Sequence, residues 1–279
     1  MGMKISKESL RGFEEALVRG EKSSATVEKY IRDVRAFGRY AGGREICKEL
    51  VLDYKESLRE RYSVLSANSM LAALNAYFRF CGRAELCVKQ FKVQQRAFCS
   101  AERELSKEEY RRLIVAAERK GDRRLALLIQ TVCGTGIRIS ELPYITVEAA
   151  KRGRATVSCK GKVRTVFIVT ALQKKLLRYA KEKGIRAGEI FVSSRGRSLD
   201  RSNVWREMKA LCKSAGVHPS KVFPHNLRHL FARSFYALEH DIAKLADVLG
   251  HSNINTTRIY IVTTGEEHRR HMELLRLIT

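Results

Sequence analysis

The stretch HNLRHLFARSFYALE, residues 225–239, predicts a helix, because its apolar residues recur at spacings of three and four. Its first turn holds His225 and Arg228, which lie three residues apart and therefore on the same face of a helix. His229, directly after the arginine, is expected to point away from that face. A histidine and an arginine spaced in this way are usually a surface pair, so the meaning of the stretch depends on what the rest of the chain supplies.

Neighbouring segments supply further charged and nucleophilic side chains. GTGIRISEL, residues 134–142, places Arg138 after two glycines and before a new helix, with Glu141 three residues later. LGH ends at His251, and NTTRIYI carries Tyr260. Each residue alone has an ordinary explanation, such as a salt bridge between Arg138 and Glu141 or a tyrosine in a core. Together with the helix at 225–239, they concentrate cations, histidines and a phenol in one half of the chain.

A β-hairpin is predicted between these segments. Two runs rich in β-branched residues, 155–159 and 163–169, flank the tight sequence Lys160-Gly161-Lys162. Lys160 lies at the expected tip, and Lys162, two residues further, points the same way from a regular strand.

The charge balance restricts the partners of the chain. Among its 279 residues, 54 Lys and Arg outweigh 30 Asp and Glu, which leaves a net charge of +24. Such an excess repels itself in a compact fold and is typical of proteins that bind a polyanion. Nucleic acid is favoured over an anionic membrane, because the longest apolar run, residues 125–133, is interrupted by polar residues and falls short of the ~20 residues of a spanning helix. This run is interpreted as a buried core helix.

The cysteines indicate a reducing compartment. Seven cysteines without a CxxC pair predict packed, reduced thiols of a cytoplasmic protein, and neither disulfides nor a metal site.

Periodicity divides the chain into two domains joined by a linker. Residues 1–87 predict a small helical bundle, residues 88–103 are polar, basic and unpatterned, and residues 104–279 predict a mostly helical domain that carries the hairpin. Thr26 is the expected N-cap of the second helix. Helices are expected at about 10–20, 26–40, 48–61, 66–80, 106–120, 122–133, 171–183, 200–215, 225–239, 241–249, 256–262 and 266–277.

One ordered set of residues resembles the signature of the tyrosine recombinase (phage integrase) family: Arg138, Lys160, His225, Arg228, His251 and Tyr260. The resemblance covers about residues 103–265, and the helical front is similar, more loosely, to the family's core-binding domain. It implies a mainly α fold with a small antiparallel β-sheet, in which a helical core-binding domain at 1–87 and a basic linker at 88–103 precede a mixed α/β catalytic domain at 104–279. The two-domain layout is most similar to Xer-like enzymes or integrases of mobile elements.

The resemblance implies site-specific DNA recombination. In the family's reaction a tyrosine hydroxyl attacks a phosphodiester and leaves a 3′-phosphotyrosyl bond and a free 5′-hydroxyl, and a 5′-hydroxyl of another strand reverses the step. Tyr260 matches the nucleophile. Arg138 and Arg228 match the residues that neutralise the pentavalent phosphorus, since guanidiniums are permanently charged and donate paired hydrogen bonds. Because the phosphotyrosine stores the energy of the broken bond, the reaction needs no metal and no other cofactor.

The proton for the leaving 5′-oxygen is assigned by position to Lys160, with Lys162 as the alternative. Cys159 stands where glycine is common in the family, which loosens this part of the match. Val262 stands where a histidine commonly follows the nucleophile.

The remaining matches have supporting roles. The resemblance makes His225 the acid/base partner of the tyrosine and His251 a hydrogen-bond partner of a phosphate oxygen. Glu141 is expected to orient Arg138 or His225 through a salt bridge. Trp205 is interpreted as a packing residue.

The implied partner is double-stranded DNA with inverted-repeat core sites, bound by a homotetramer on two sites, with no membrane partner. Two alternatives remain open: a catalytically inactive DNA-binding or architectural protein of the same fold, and an activity like that of a type IB topoisomerase.

Overall fold

The computed structural model describes residues 3–92, 104–159, 162–193, 195–260, 269 and 272–275, except the side chains of Cys159 and Lys162. The chain divides into two compact units, Met1–Gln95 and Arg96–Thr279. Over the described residues it is mostly helical with one two-stranded antiparallel sheet, so the predicted fold class is confirmed. None of the helices in these ranges combines the length and the apolar character needed to cross a membrane. The roles assigned to the two units stay predictions.

The first unit is a bundle of four α-helices over residues 3–92. The helices are α1 Lys7–Arg19, α2 Ser24–Ala41, α3 Lys48–Arg61 and α4 Val64–Phe80, followed by the 3₁₀ turn Ala84–Leu86. Its core is aromatic: Phe37 and Tyr77 are buried, and the rings of Phe37 and Phe78 meet edge to face with centroids 6.0 Å apart. The unit therefore has a hydrophobic core of its own.

Serines set the starts of three of these helices, and Ser6 caps α1. α2 is capped by Ser23, whose side-chain oxygen accepts a hydrogen bond from the backbone N–H of Thr26, so the prediction of Thr26 as the N-cap is wrong. α4 begins at Val64 because Ser63 caps it in the same way. An extended serine offers its hydroxyl to the first unpaired N–H groups of a helix, and this local hydrogen bond decides the start.

The first residues of the predicted linker pack on the bundle. Val88 is buried, and the Asn75 side chain accepts from its N–H at 3.0 Å and donates to its carbonyl at 2.8 Å. Asn68 binds Phe91 with the same pair of hydrogen bonds, at 2.8 and 2.9 Å. Two amides that each satisfy both backbone groups of a segment hold it in place, so the chain as far as Phe91 belongs with the bundle. The remainder of the stretch, 93–103, lies outside the described residues.

The second unit carries the other helices and the hairpin. The helices are α5 Lys107–Arg119, α6 Arg123–Thr135, α7 Val147–Arg152, α8 Thr170–Glu182, α9 Arg201–Lys209, α10 Cys212–Ala215, α11 Pro224–Glu239, α12 Ile242–Leu249 and α13 Ile254–Arg258, with 3₁₀ turns Ile139–Tyr144 and Pro219–Lys221. Strands β1 (Arg154–Cys159) and β2 (Lys162–Phe167) pair antiparallel with Cys159 opposite Lys162, which confirms the predicted hairpin.

In the second unit, two predicted helices differ in their bounds by more than two residues, and α7 was not predicted. The helix expected over 200–215 is interrupted after α9, where the N–H of Ala210 donates to the carbonyls of Arg206 and Met208. The helix expected over 256–262 begins earlier, because Asn253 caps it, and ends before Tyr260. Most of the last predicted helix, 266–277, lies outside the described residues.

α6 forms the centre of the second core. Leu128 and Val132 are fully buried, and α5, α8, α9 and α11 pack around the helix. The interpretation of residues 125–133 as part of a core helix agrees with this burial. Because α6 is enclosed by its neighbours, the segment that follows it and carries Arg138 has a fixed position against α11.

Gly136 ends α6 in a backbone conformation that other residues avoid. Its φ is +65°, and a Cβ at this position would lie 2.5 Å from Cδ1 of Phe231. Positive φ is a region that glycine enters freely, and the close ring excludes a side chain. The turn into Arg138 therefore depends on glycine here.

Replacing Gly136 by alanine is expected to destabilise the second unit by more than backbone strain alone. The matched control is Gly216→Ala, because Gly216 has φ +59° but open space around the added Cβ. We expect the control to lose about 1 kcal/mol in free energy of unfolding from the left-handed conformation, and Gly136→Ala to lose about 1–3 kcal/mol more from the clash. Urea denaturation followed by circular dichroism measures both free energies of unfolding. Equal losses would show that the ring of Phe231 moves aside without an energetic penalty.

Candidate active site

Arg228 lies in α11 with 1% of its surface exposed. Its Nη1 donates to the carbonyl of Gly136 at 2.5 Å, and its Nη2 donates to the carbonyl of Leu249 at 2.7 Å and to Nε2 of His251 at 2.9 Å. Its Nε is buried and has no partner among the described residues. The guanidinium thus joins the ends of α6 and α12 to α11.

The contacts of His251 fix its protonation. Arginine has no acceptor atom, so Nε2 of His251 accepts the hydrogen bond from Arg228 and carries no proton. The proton of the neutral ring is then on Nδ1, which donates to Oγ1 of the buried Thr257 at 2.9 Å. His251 is a neutral imidazole that orients the guanidinium.

Tyr260 is 2% exposed, and its ring packs on aliphatic side chains of α11 and α12. The ring also stacks on His251, with centroids 5.7 Å apart and planes 12° apart. Its hydroxyl lies 3.4 Å from Nε2 of His225. Burial lowers the pKa of Arg228, and Tyr260 opposes this lowering. The ring is therefore interior, while its oxygen is directed at a histidine and a buried cation.

His229 also contacts the tyrosine, so the prediction that it faces away from the site is wrong. Its ring meets that of Tyr260 edge to face with centroids 4.4 Å apart, and that of His225 with centroids 4.8 Å apart. Residues four apart share a helix face just as residues three apart do. His225, Arg228 and His229 therefore all belong to one face of α11.

All three histidines favour the neutral form. Burial lowers the pKa of His229 and of His251 to about 4, and the neighbouring charge of Arg228 adds to this effect. Partial burial, together with Arg228 and Arg138, also lowers the pKa of His225. At neutral pH these rings are uncharged, while the guanidinium of Arg228 remains charged because its ordinary pKa is so high.

Arg138 is held by Glu141. The carboxylate of Glu141 accepts from Nη1 of Arg138 at 2.9 Å and from the backbone N–H of Arg138 at 2.8 Å, while the Arg138 side chain keeps 36% of its surface exposed. A second guanidinium, Arg164 of β2, donates to both oxygens of Glu141 at 2.9 and 2.8 Å. Burial raises the pKa of Glu141, but the hydrogen bonds from Arg164 and Arg138 outweigh it and lower the pKa to about 2. The salt bridge expected between Glu141 and Arg138 is therefore present.

Lys160 lies outside the described residues, and so does the side chain of Lys162. The backbone of Lys162 begins β2 two residues before Arg164, which contacts Glu141. The hairpin thus runs beside the cluster, and the roles of the two lysines stay predictions.

The cluster suits an anion. It brings together Arg228, Arg138, three neutral imidazoles and a phenol, and no group of His, Cys, Asp or Glu in the described part of the chain is arranged to hold a metal ion. Guanidiniums neutralise charge that develops on phosphate oxygens, and a neutral imidazole takes a proton from a phenol. The arrangement is able to activate a tyrosine against a phosphodiester.

Comparison with known proteins agrees with this chemistry. The family model described as the phage integrase family matches residues 103–267. A tyrosine recombinase XerA of Thermococcus kodakarensis is 32% identical over 283 residues, which cover 97% of this chain and 96% of that relative. The chain therefore belongs to the phage integrase family.

Solved structures share the fold. A crystal structure of a XerA recombinase is 26% identical with a TM-score of 0.55, over 98% of this chain and 99% of the other. A lambda integrase tetramer bound to a Holliday junction is 20% identical with a TM-score of 0.71, over 91% and 76% of the two chains, and shows likeness of fold alone. Within its family, the chain is a tyrosine-type site-specific DNA recombinase.

Two further residues belong to the cluster. Arg164 lies in a strand on the same side as the buried Val166, and a charged residue in that position is a signal for a buried partner. His229 directly follows Arg228, but its spacing of four from His225 indicates the shared helix face.

The neutral histidines predict a loss of stability in acid. The folded pKa of His229 is about 4 against an ordinary value of 6.5, so between these pH values the unfolded chain binds a proton that the folded chain does not. Stability is complete above pH 6.5 and falls as the pH is lowered toward 4. His229→Phe keeps a ring against Tyr260 and removes this group, so its free energy of unfolding should fall less than that of the wild type.

Urea denaturation at pH 7.5 and at pH 4.5 measures the difference. The only tryptophan of the chain, Trp205, lies in α9 and is 46% exposed, so its interpretation as a packing residue is wrong. Its fluorescence reports on the second unit. Parallel losses of stability in the wild type and in His229→Phe would contradict a neutral His229 in the folded protein.

Proposed function

We propose that Tyr260 attacks a DNA phosphodiester, forming a 3′-phosphotyrosyl bond and releasing a strand with a free 5′-hydroxyl. The observation that carries this proposal is the position of the phenol, 3.4 Å from Nε2 of His225 and beside the buried Arg228. A phenol with a pKa of about 10 is a poor nucleophile at neutral pH unless its proton is taken. His225, with its lowered pKa, is the base within reach.

Arg228 and Arg138 stabilise the charge of the transition state. Arg228 offers the buried Nε that has no partner among the described residues, and Arg138 is held on one side by Glu141 with part of its guanidinium open to solvent. Donors fixed in advance gain most where charge develops, because they need no reorganisation during the reaction.

The contacts of His251 are with Arg228 and with the phenol of Tyr260. Its Nε2 accepts from the guanidinium and its ring stacks on Tyr260. A hydrogen bond from Nε2 to a phosphate oxygen, the role implied by the family resemblance, requires that this nitrogen gain a proton and separate from Arg228.

Cleavage and rejoining form one reversible cycle. The phosphotyrosine keeps the energy of the broken bond, and a 5′-hydroxyl from the partner strand attacks it, releases the tyrosine and restores a phosphodiester. The general acid for the leaving 5′-oxygen is Lys160, with Lys162 as the alternative. No metal or other cofactor takes part.

The DNA is a duplex with inverted-repeat core sites, and a homotetramer on two such sites exchanges the strands. The net charge of +24 supports a DNA partner, and the lambda integrase tetramer on a Holliday junction supports the assembly by analogy. The chain works in the cytoplasm, which its free cysteines at 47, 81, 87, 133 and 212 favour.

Tyr260→Phe tests the nucleophile. The DNA is a duplex selected for binding from a random-sequence pool, with a nick near the cut site so that the short cleaved strand diffuses away. We expect the wild type to form an adduct that survives SDS, and Tyr260→Phe to form none while its Kd for the duplex stays within about threefold, since the ring is kept and only the attacking oxygen is lost.

Tyr236→Phe is the matched control, because Tyr236 lies in the same unit and is not placed in the site. Binding by the wild type without any adduct would instead support the inactive DNA-binding alternative. Relaxation of a supercoiled plasmid that lacks the selected site would support the topoisomerase-like one.

A substrate with sulfur in place of the bridging 5′-oxygen identifies the general acid, because a thiolate leaves without protonation. Lys160→Ala should slow cleavage of ordinary DNA by about 100-fold or more and cleave the sulfur substrate at close to the wild-type rate. Lys162→Ala is the matched control and should cleave both as the wild type does. The reverse pattern would assign the role to Lys162.

A further inference from the structure

Arg164 makes the stronger of the two side-chain pairs with Glu141. Its Nη1 and Nη2 donate to the two carboxylate oxygens at 2.9 and 2.8 Å, whereas the side chain of Arg138 makes one such bond, at 2.9 Å. Parallel bonds between a guanidinium and a carboxylate are strong and set the orientation of both groups. Glu141 is 1% exposed, so water does not compete for its oxygens.

One carboxylate does not neutralise two guanidiniums. With Arg164 bound to both oxygens, Glu141 retains only a single contact with the side chain of Arg138. Without Arg164, both oxygens become available to Arg138, which is then able to form the paired salt bridge itself. That bridge would direct its fork and its charge toward Glu141 and away from the phosphate.

Arg164 also touches the turn before His251. Gly250 ends α12 with φ +68°, and a Cβ on it would lie 2.6 Å from Cδ of Arg164, so the stem of the arginine passes directly over this glycine. β2, the segment of Arg138 and Glu141, and the turn at Gly250 therefore meet at one side chain.

The position of Arg164 carries a cost that packing does not explain. Only 12% of its side chain is exposed, and its Nε is buried with no partner in the described ranges. A buried N–H without a partner is unfavourable, and an aliphatic residue in this inward phase of β2 would avoid it. A role in the site accounts for an arginine here.

We propose that Arg164 is a positioning residue, which binds the carboxylate of Glu141 so that Arg138 stays free to bind the scissile phosphate. The inference rests on the function proposed above, in which Arg138 binds that phosphate. Arg164 itself does not touch the reacting atoms in this assignment.

The test measures single-turnover cleavage of the nicked duplex at saturating protein. We expect Arg164→Met to cleave about 10- to 100-fold more slowly than the wild type, the usual effect of removing a residue that orients a site group, with little change in the Kd for DNA. Arg164→Lys keeps the charge but loses the fork, and should be slowed as well. Arg124→Met is the control, because Arg124 forms a partly shielded pair with Glu207 in the same unit and away from the cluster, and it should cleave at the wild-type rate.

The decisive variant is the double substitution of Arg164→Met with Glu141→Gln. An uncharged amide no longer competes for Arg138, so the double variant should cleave at least about tenfold faster than Arg164→Met alone, a gain that a purely structural role of Arg164 does not produce. Thermal denaturation checks that each protein is folded, and if Arg164→Met is not, the same comparison is made with Arg164→Lys.

Two results overturn the proposal while leaving the proposed function intact: a wild-type rate in Arg164→Met, or a slow single variant that Glu141→Gln does not accelerate. Failure of the wild type to form any adduct overturns the proposed function itself, so the two failures are distinguishable.

Discussion

A buried guanidinium bound by main-chain carbonyls is the constraint on which the second unit depends. Moving an arginine out of water costs several kcal/mol unless its donors are paired. Arg228 donates to the carbonyls of Gly136 and Leu249, which lie at the ends of α6 and α12. If either helix end is misplaced, Arg228 is buried without partners. The site therefore forms only when the three helices pack correctly.

The cluster carries more positive than negative charge. Arg138, Arg164 and Arg228 surround a single carboxylate, Glu141, and the excess positive potential has two effects. Together with burial, which is the larger cause, it holds the nearby imidazoles in their neutral form, because a second cation is unfavourable beside an arginine. It also prepares the site for an anion before any DNA arrives, so the phosphate supplies the negative charge that the protein omits.

Interactions between residues close in sequence were mostly predictable, whereas contacts between distant segments were not. Spacing along one helix was enough to pair His225 with Arg228, and β-branched runs around a Lys-Gly-Lys turn were enough for the hairpin. Local hydrogen bonds were underrated, as at Ser23, where a serine outside the apolar pattern begins the helix. Contacts between distant segments were beyond the pattern: Arg164 and Glu141 lie 23 positions apart in sequence, and only the packed hairpin brings them together.

Because Tyr260 is buried, binding of DNA and cleavage of DNA are separate steps. A phosphorus atom must come within about 3–3.5 Å of the attacking oxygen and in line with it, and a side chain of which 2% is accessible is out of reach for a duplex that rests on the outer surface. Encounter with DNA and scission are therefore distinct events. Cleavage of a bound duplex therefore requires a rearrangement that exposes the hydroxyl of Tyr260, and in the present arrangement a duplex on the surface is left uncut.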